Sequence, residues 1–360
     1  VLQSFATEKL RCPACHRNRT LRLEETSSDE REVREGTLIC SACGAQRPVH
    51  RGVGELLDDP PAHVSVEAAG LERFAEVMRA DGWTPERIRS LPFIENGYWY
   101  VQATSIQQLF DVVDLQPGQW VLDLGSNTCW ASNYFASRGL NAVALDISLW
   151  ELQGLWTADY FLDAGDSYFE RVLASMNEIP IATGSLDYVY ACEVLHHNDL
   201  DGLRATFEEA FRVLKPGGRM LVVNETLKTR RDPDGVHTEG VAQFEGYEHA
   251  HWAWRYRWEA TRAGFLTRLL EPRYNDFFSS PPPDERPPLL PWRARAWDEL
   301  RRRPVGHKII LPYLNHVRGE VSFGMIATKP TGPVNPGMVV RPLRRALAAT
   351  GPRRRAVRSG

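Results

Sequence analysis

The stretch WVLDLGSNTCWAS, from Trp120 to Ser132, constrains the fold more than any other part of the chain. Val121, Leu122 and Leu124 form a short apolar run, the pattern of a strand buried on both faces. Gly125 ends the run, and Ser126, Asn127 and Thr128 continue it as a tight turn. A helix is expected from Trp130 through Tyr134 and Phe135 to Gly139. A strand, a glycine turn and a helix in succession make a nucleotide-binding crevice at the strand's carboxyl end. A second strand, Ala142 to Leu145, runs into Asp146, 21 positions beyond Gly125. A carboxylate at that separation is placed to bind a ribose diol. A nicotinamide-type G-x-G-x-x-G is excluded, because of its glycines only Gly125 is present.

Asp123-Leu124-Gly125-Ser126-Asn127-Thr128-Cys129 resembles the D-L-G-x-G-x-G turn of class I S-adenosylmethionine-dependent methyltransferases, with Asn127 and Cys129 at two of the glycine positions. Asparagine tolerates a left-handed backbone, and cysteine is small enough for close helix–strand packing. Two further blocks resemble the same family and follow in its order. SMNEIPIATGSLDYVYACEVLHHNDL carries a fourth strand from Ser185 and ends at Glu193 and the His196-His197 pair. VLKPGG then closes a helix, Leu203 to Leu214, before a fifth strand, Met220 to Val223. A third strand is read over Arg171 to Ala174, after a helical stretch from Leu149 to Phe161, and a last strand over Val321 to Ala327.

The resemblance implies an α/β fold, a doubly wound Rossmann-like methyltransferase sheet, and S-adenosyl-L-methionine as the methyl donor. Backbone amides of Gly125, Ser126, Asn127 and Thr128 are then expected to hold the methionyl carboxylate. Asp123 orders the loop, and Asp146 accepts both ribose hydroxyls. Ile147 joins the cofactor contacts, and Ile179 lies on the adenine. Glu193 meets the methionyl end or the acceptor. Ser175 stands where the family usually has an acidic residue near the adenine, with Asn177 or Glu178 as substitutes.

The N-terminal part is a cysteine ribbon. Cys12 and Cys15 form one CxxC, Cys40 and Cys43 a second, separated by 24 residues (16 to 39). Four thiolates on two tight turns close a tetrahedral Zn(II) site with no open position, hence a structural one; the alternative is four buried free thiols. LICSACGAQRPVHRGVGELL resembles the ribbon of the small activator subunit of tRNA methyltransferases, a likeness that covers about the first 57 residues. Loss of one thiolate is expected to unfold the ribbon and leave the rest folded.

The domain reading is a zinc ribbon over 1–59, a linker and helical cap over the cofactor at 60–115, the methyltransferase domain at 116–330, and a basic tail without regular structure at 331–360. Leu71, Phe74, Ala75 and Met78 read as a packing face, and Ile106, Leu109, Phe110 and Val113 as the face of a helix that in the family covers the cofactor. Tyr98, Trp99 and Tyr100 either line the site or pack under a lid. A general base, where one is used, is His249, His197 or His251, since imidazole titrates near neutrality. The other reading of these histidines is a helix cap or a packed core position. The proline-rich run Phe277 to Pro291 is a substrate lid or a linker.

Composition narrows the partners. With 43% hydrophobic residues, 25% charged and a net charge of -3, the chain reads as a folded protein with a weak acidic balance. No apolar run approaches the ~20 residues that span a bilayer, so no membrane partner is expected and a cytoplasmic setting is the default. The expected acceptor is a small molecule, a sugar or secondary-metabolite intermediate. Two alternatives stay open: an rRNA or tRNA acceptor, and a non-catalytic scaffold, the latter motivated by Asn127 and Cys129.

Overall fold

The computed structural model describes residues 1–94, 97–228, 248–270 and 323–332, with the single positions Trp292 and Glu299. The proline-rich run, Tyr247 and the arginines of the tail lie outside the described residues.

The N-terminal segment forms helix α1 (Gln3–Lys9) and strands β1 (Leu21–Ser28), β2 (Val33–Cys40), β3 (Gln46–His50) and β4 (Val53–Glu55). In β1 the alternation of buried Leu21 and Leu23 with exposed Arg22 and Glu24 is the period of a half-covered strand. Helices α2 (Ala62–Ala80), α3 (Pro85–Arg89) and α4 (Gly97–Val112) follow. The remainder alternates: β5 (Trp120–Leu124), α5 (Trp130–Ala136), β6 (Asn141–Asp146), α6 (Asp159–Leu162), β7 (Glu170–Leu173), β8 (Leu186–Cys192), α7 (Leu200–Val213), β9 (Leu214–Glu225), α8 (Ala253–Arg262), β10 (Leu266–Leu269) and β11 (Phe323–Thr328). The long helix expected over 149–161 is replaced by a 3-10 turn, Leu155–Ala158, and the single turn of α6.

Among the described residues the strands form one sheet in the order β1-β2-β3-β4-β7-β6-β5-β8-β9-β11-β10. Pairing is parallel from β4 through β9 and antiparallel at both ends. The chain leaves β5 toward β6 and β7, then crosses to β8 and β9 on the other side. That reversal is a topological switch point, where ligands bind beyond the strands' carboxyl ends. The central strands are covered on both faces. Leu122 and Leu124 enter one core cluster and Val121 the other.

The ribbon is not a detached module. Gly54 and Glu55 of β4 pair with Val172 and Leu173 of β7, and Leu56 N donates to Leu173 O at 2.9 Å. The rings of Phe5 and Trp120 stack at 5.8 Å. Beneath this seam lies a buried charge cluster. Arg171 of β7, fully buried, bonds Glu32 of the ribbon and Asp159 of α6, the latter at 3.1 Å. Arg34 and Arg51 of the ribbon also reach Asp159, at 3.1 and 2.7 Å.

Candidate active site

At the switch point, α2 and α4 roof a cavity of about 690 Å³ whose floor is the carboxyl ends of β5, β6 and β8. The turn after β5 explains why one glycine is kept. Gly125 has φ 63°, and a Cβ there would meet Val194 Cγ2 at 2.3 Å. Asn127 and Cys129, at the other two glycine positions, are also left-handed, with φ 46° and 57°. Their side chains have room: Asn127 Nδ2 donates to Gln153 Oε1 at 2.7 Å, and Cys129 is buried in the core under α5.

Asp146 ends β6 beside this turn. Its Oδ2 accepts from Asn127 N at 2.8 Å and its Oδ1 from Ser148 N at 2.9 Å. Burial raises its pKa to about 6, against the pull of those backbone donors. Asp123 is likewise raised by burial, to about 7, while the Ser132 hydroxyl donates to it at 2.7 Å. Ser126 N donates to Leu145 O and Asn127 N to Asp146, so two of the four amides expected to hold a carboxylate are engaged inside the protein.

Asp123, Gly125, Ser126, Asn127, Asp146, Ile147 and Glu193 all line the cavity. Ile179 does not, which corrects its expected place on the adenine. It is completely buried, with its N–H donating to Glu209 at 2.9 Å and its carbonyl accepting from Arg212 at 2.6 Å, both on α7. The next residue, Pro180, accepts from Arg11 N of the ribbon, which draws the segment into the seam. Ala174 and Met176 take the wall position instead. Asn177 turns to α7, donating to Gly202 O and Thr206 Oγ1 at 2.8 Å each. From the roof come Glu67, Leu71 and Met78 of α2, together with Tyr98, Trp99 and Gln102 of α4. The α2 residues had read as packing only. Their helical spacing was visible, but a cavity wall and a core contact leave the same apolar pattern.

The three histidines part company. His197 lines the cavity with Nδ1 2.6 Å from Glu67 Oε1, an ion-pair contact out of line with a hydrogen bond. Burial opposes a charge on this ring, but Glu67, Glu248 and Glu225 outweigh it and raise its pKa to about 9. The raised pKa favours the protonated ring, which donates rather than accepts, so the pairing with Glu67 counts against a base role for His197. His251 lies outside the cavity wall and bonds Asn198 O through Nε2 at 2.8 Å, and burial lowers its pKa. His249 is also absent from the wall, and its amide donates to His196 O at 2.5 Å. The neighbouring His196 is buried at the wall against Glu225, with Nδ1 at 2.6 Å from Oε1.

The four ribbon cysteines converge, with all Sγ atoms within 4.8 Å of one another. Cys12–Cys43 and Cys15–Cys40 are each 3.7 Å apart. A tetrahedron with Zn–S bonds of about 2.3 Å has edges of about 3.8 Å, so this donor set fits Zn(II).

Residues 122–222 match the family model described as a methyltransferase domain. The demethylmenaquinone methyltransferase of Corynebacterium glutamicum (strain R) is 34% identical over 110 residues, 31% of this chain and 43% of that protein. The enzyme of the same name from Renibacterium salmoninarum is 32% identical over 131 residues, 36% of this chain and 51% of that one. The chain thus spans about half the length of the curated relatives it matches. Among solved structures, a complex of the Haloferax volcanii Trm112 methyltransferase activator with a methyltransferase aligns with a TM-score of 0.45 at 15% identity, covering 76% of this chain and all of that one. Residues 122–222 thus match a methyltransferase domain, which this chain joins to an N-terminal four-cysteine ribbon.

Proposed function

We propose that this chain transfers a methyl group from S-adenosyl-L-methionine to a small-molecule acceptor, and that Cys12, Cys15, Cys40 and Cys43 hold one structural Zn(II). The observation that carries the reading is Asp146, a buried carboxylate aimed into the switch-point cavity beside the left-handed turn. Two oxygens, each holding one backbone N–H, keep further lone pairs for a ribose diol. Ile147, Ala174 and Met176 offer apolar wall to the adenine, and the remaining turn amides would meet the methionyl end. Bound there, S-adenosylmethionine supplies an electrophilic methyl group on sulfur.

The residues contribute binding, orientation and exclusion of water. Met78 and Trp99 of the roof line the cavity, so the reacting groups would meet beside apolar walls at fixed separation. The names of the curated relatives favour a flat quinone-type acceptor over a sugar. Rings of Trp99 and Trp130, 6.1 Å apart and edge to face, suit such a guest. Equilibrium dialysis of the full chain with S-adenosylmethionine tests the donor half of the reading. Saturable binding of one molecule per chain is expected; no uptake at about millimolar concentration, weaker than ~4 kcal/mol, would reject it.

A further inference from the structure

Glu193 leaves β8 in a left-handed conformation, φ 50°, and lines the cavity. The hydroxyl of Tyr98 on α4 donates to its Oε2 at 2.6 Å. Tyr98 is 53% exposed overall, so the ring forms part of the mouth while its hydroxyl end meets the carboxylate. Gln102 lies one helical turn further along α4 and is only 2% exposed. Its Oε1 accepts from Asn224 Nδ2 at 2.7 Å and from Cys192 Sγ at 2.8 Å. Asn224 is held in turn by Ser105, whose Oγ donates to Oδ1 at 2.7 Å. In this arrangement the carbonyl oxygen of Gln102 is the accepting end. Its Nε2 stays buried at the cavity with no partner in hydrogen-bond geometry, on the side of the Glu193 carboxylate that it helps keep ionised. The Tyr190 hydroxyl, 1% exposed at the same cavity, has none either. An unmatched buried donor is costly, and where one persists beside a cavity it marks the place of a ligand atom.

We propose that Glu193, Tyr98 and Gln102 form the acceptor end of the cavity and read an ionisable hydroxyl on a flat ring, a phenol-class acceptor, with Glu193 taking its proton. The assignment rests on the methyl-transfer reading above. An amide donor beside a carboxylate acceptor recognises a group that both accepts and donates, which is the property of a hydroxyl. The aromatic wall selects the ring that carries it. In the reaction the hydroxyl proton passes to a Glu193 oxygen. The freed oxygen pair forms the new bond to the methyl carbon, and the C–S bond breaks with its electrons left on sulfur. The thioether and the protonated Glu193 account for every atom and charge. The groups around Glu193 suit the task. Burial first, then Glu225, raise its pKa to about 7, while Tyr98, Gln102 and His197 hold it from going higher. A base poised there is matched to neutral pH.

The test is calorimetric titration of α-naphthol into the full chain saturated with S-adenosylhomocysteine. Wild type is expected to bind, with affinity rising as pH passes through about 7. Glu193→Gln is expected to bind about tenfold more weakly, the worth of one charged hydrogen bond, and to lose the pH dependence. Tyr98→Phe, at an exposed position, guards against a folding failure. It removes a hydrogen bond that favours ionised Glu193, so the pH midpoint moves upward. Equal affinity and pH profile in all three proteins overturns the proposal. If wild type binds S-adenosylhomocysteine but not α-naphthol, the acceptor assignment alone falls. If it binds neither, the methyl-transfer reading falls with it.

Discussion

Of the three positions where the turn of this family carries glycine, only 125 is glycine here, and the contacts say why. A methyl group at 125 runs into Val194, whereas 127 and 129 adopt a left-handed backbone with side chains in place, Asn127 bonded to Gln153 and Cys129 packed in the core. Gly125→Ala should therefore lower stability by about 1–3 kcal/mol in urea unfolding, through overpacking and φ strain together. Asn127→Gly should stay within about 1 kcal/mol, since the backbone preference gained offsets the lost bond to Gln153. A variant ranking in the opposite order would contradict this account of the turn. The His197–Glu67 pair gives a second residue-level prediction. The folded-state pKa is raised, so its stabilisation is full below about pH 6.5 and disappears as pH climbs through about 9. Glu67→Gln should lower the melting temperature at neutral pH, with wild type and variant converging above about pH 9. Melting curves that stay apart at high pH would show that the loss is packing rather than charge. The sequence located the turn and Asp146 because their residue types are dictated by backbone shape and ligand chemistry. It misplaced Ile179 because an apolar side chain next to Pro180 looks the same whether it meets a nucleoside or α7. For His197 the sequence shows a titratable ring, but not that Glu67, more than a hundred residues away, lies against it and favours its charged form.

At the scale of elements, the alternation of strands and helices from β5 to β9 was legible, since each strand is a short apolar run bounded by turn residues. The attachment of the ribbon was not. A parallel pairing of β4 with β7 leaves no local pattern, and Arg171 shows nothing in sequence of its burial. The expectation that the ribbon unfolds alone needs correction, because Leu10, Leu38 and Val49 share one core cluster with Leu122 and Val189. Arg171→Leu would remove the fully buried one of the two cations that Glu32 and Asp159 share, leaving Arg34 as the other, and should cost about 1.5–3 kcal/mol. Chemical unfolding reads this directly; a loss under about 1 kcal/mol, the worth of a surface pair, would place the cluster in solvent. Cys40→Ser, or stripping metal with a chelator, should lower stability across the sheet and bare the edge of β7. Hydrogen exchange checks it: faster exchange in β7 as well as β1 to β3 is expected, and unchanged β7 protection would restore the picture of an independent module.

For the whole molecule, one sheet carries three jobs: the ribbon extends one edge, the switch point opens the cavity, and α2 with α4 roof it. No helix among the described residues is long and apolar enough to cross a membrane. On the proposed reading, function rests on two carboxylates that line the cavity, Asp146 at the nucleoside end and Glu193 at the acceptor end. Asp146, raised to about 6, should bind a ribose better once ionised, so donor affinity should climb with pH up to about 6 and then level. Calorimetric titration of S-adenosylhomocysteine into wild type and Asp146→Ala at neutral pH is the most direct measurement. Two charged hydrogen bonds at about 1.5–3 kcal/mol each predict a loss of at least tenfold and up to roughly a thousandfold in affinity, given incomplete additivity. Unliganded melting temperatures should differ little. Equal affinity in the two proteins would place the nucleoside elsewhere and contradict the site described here.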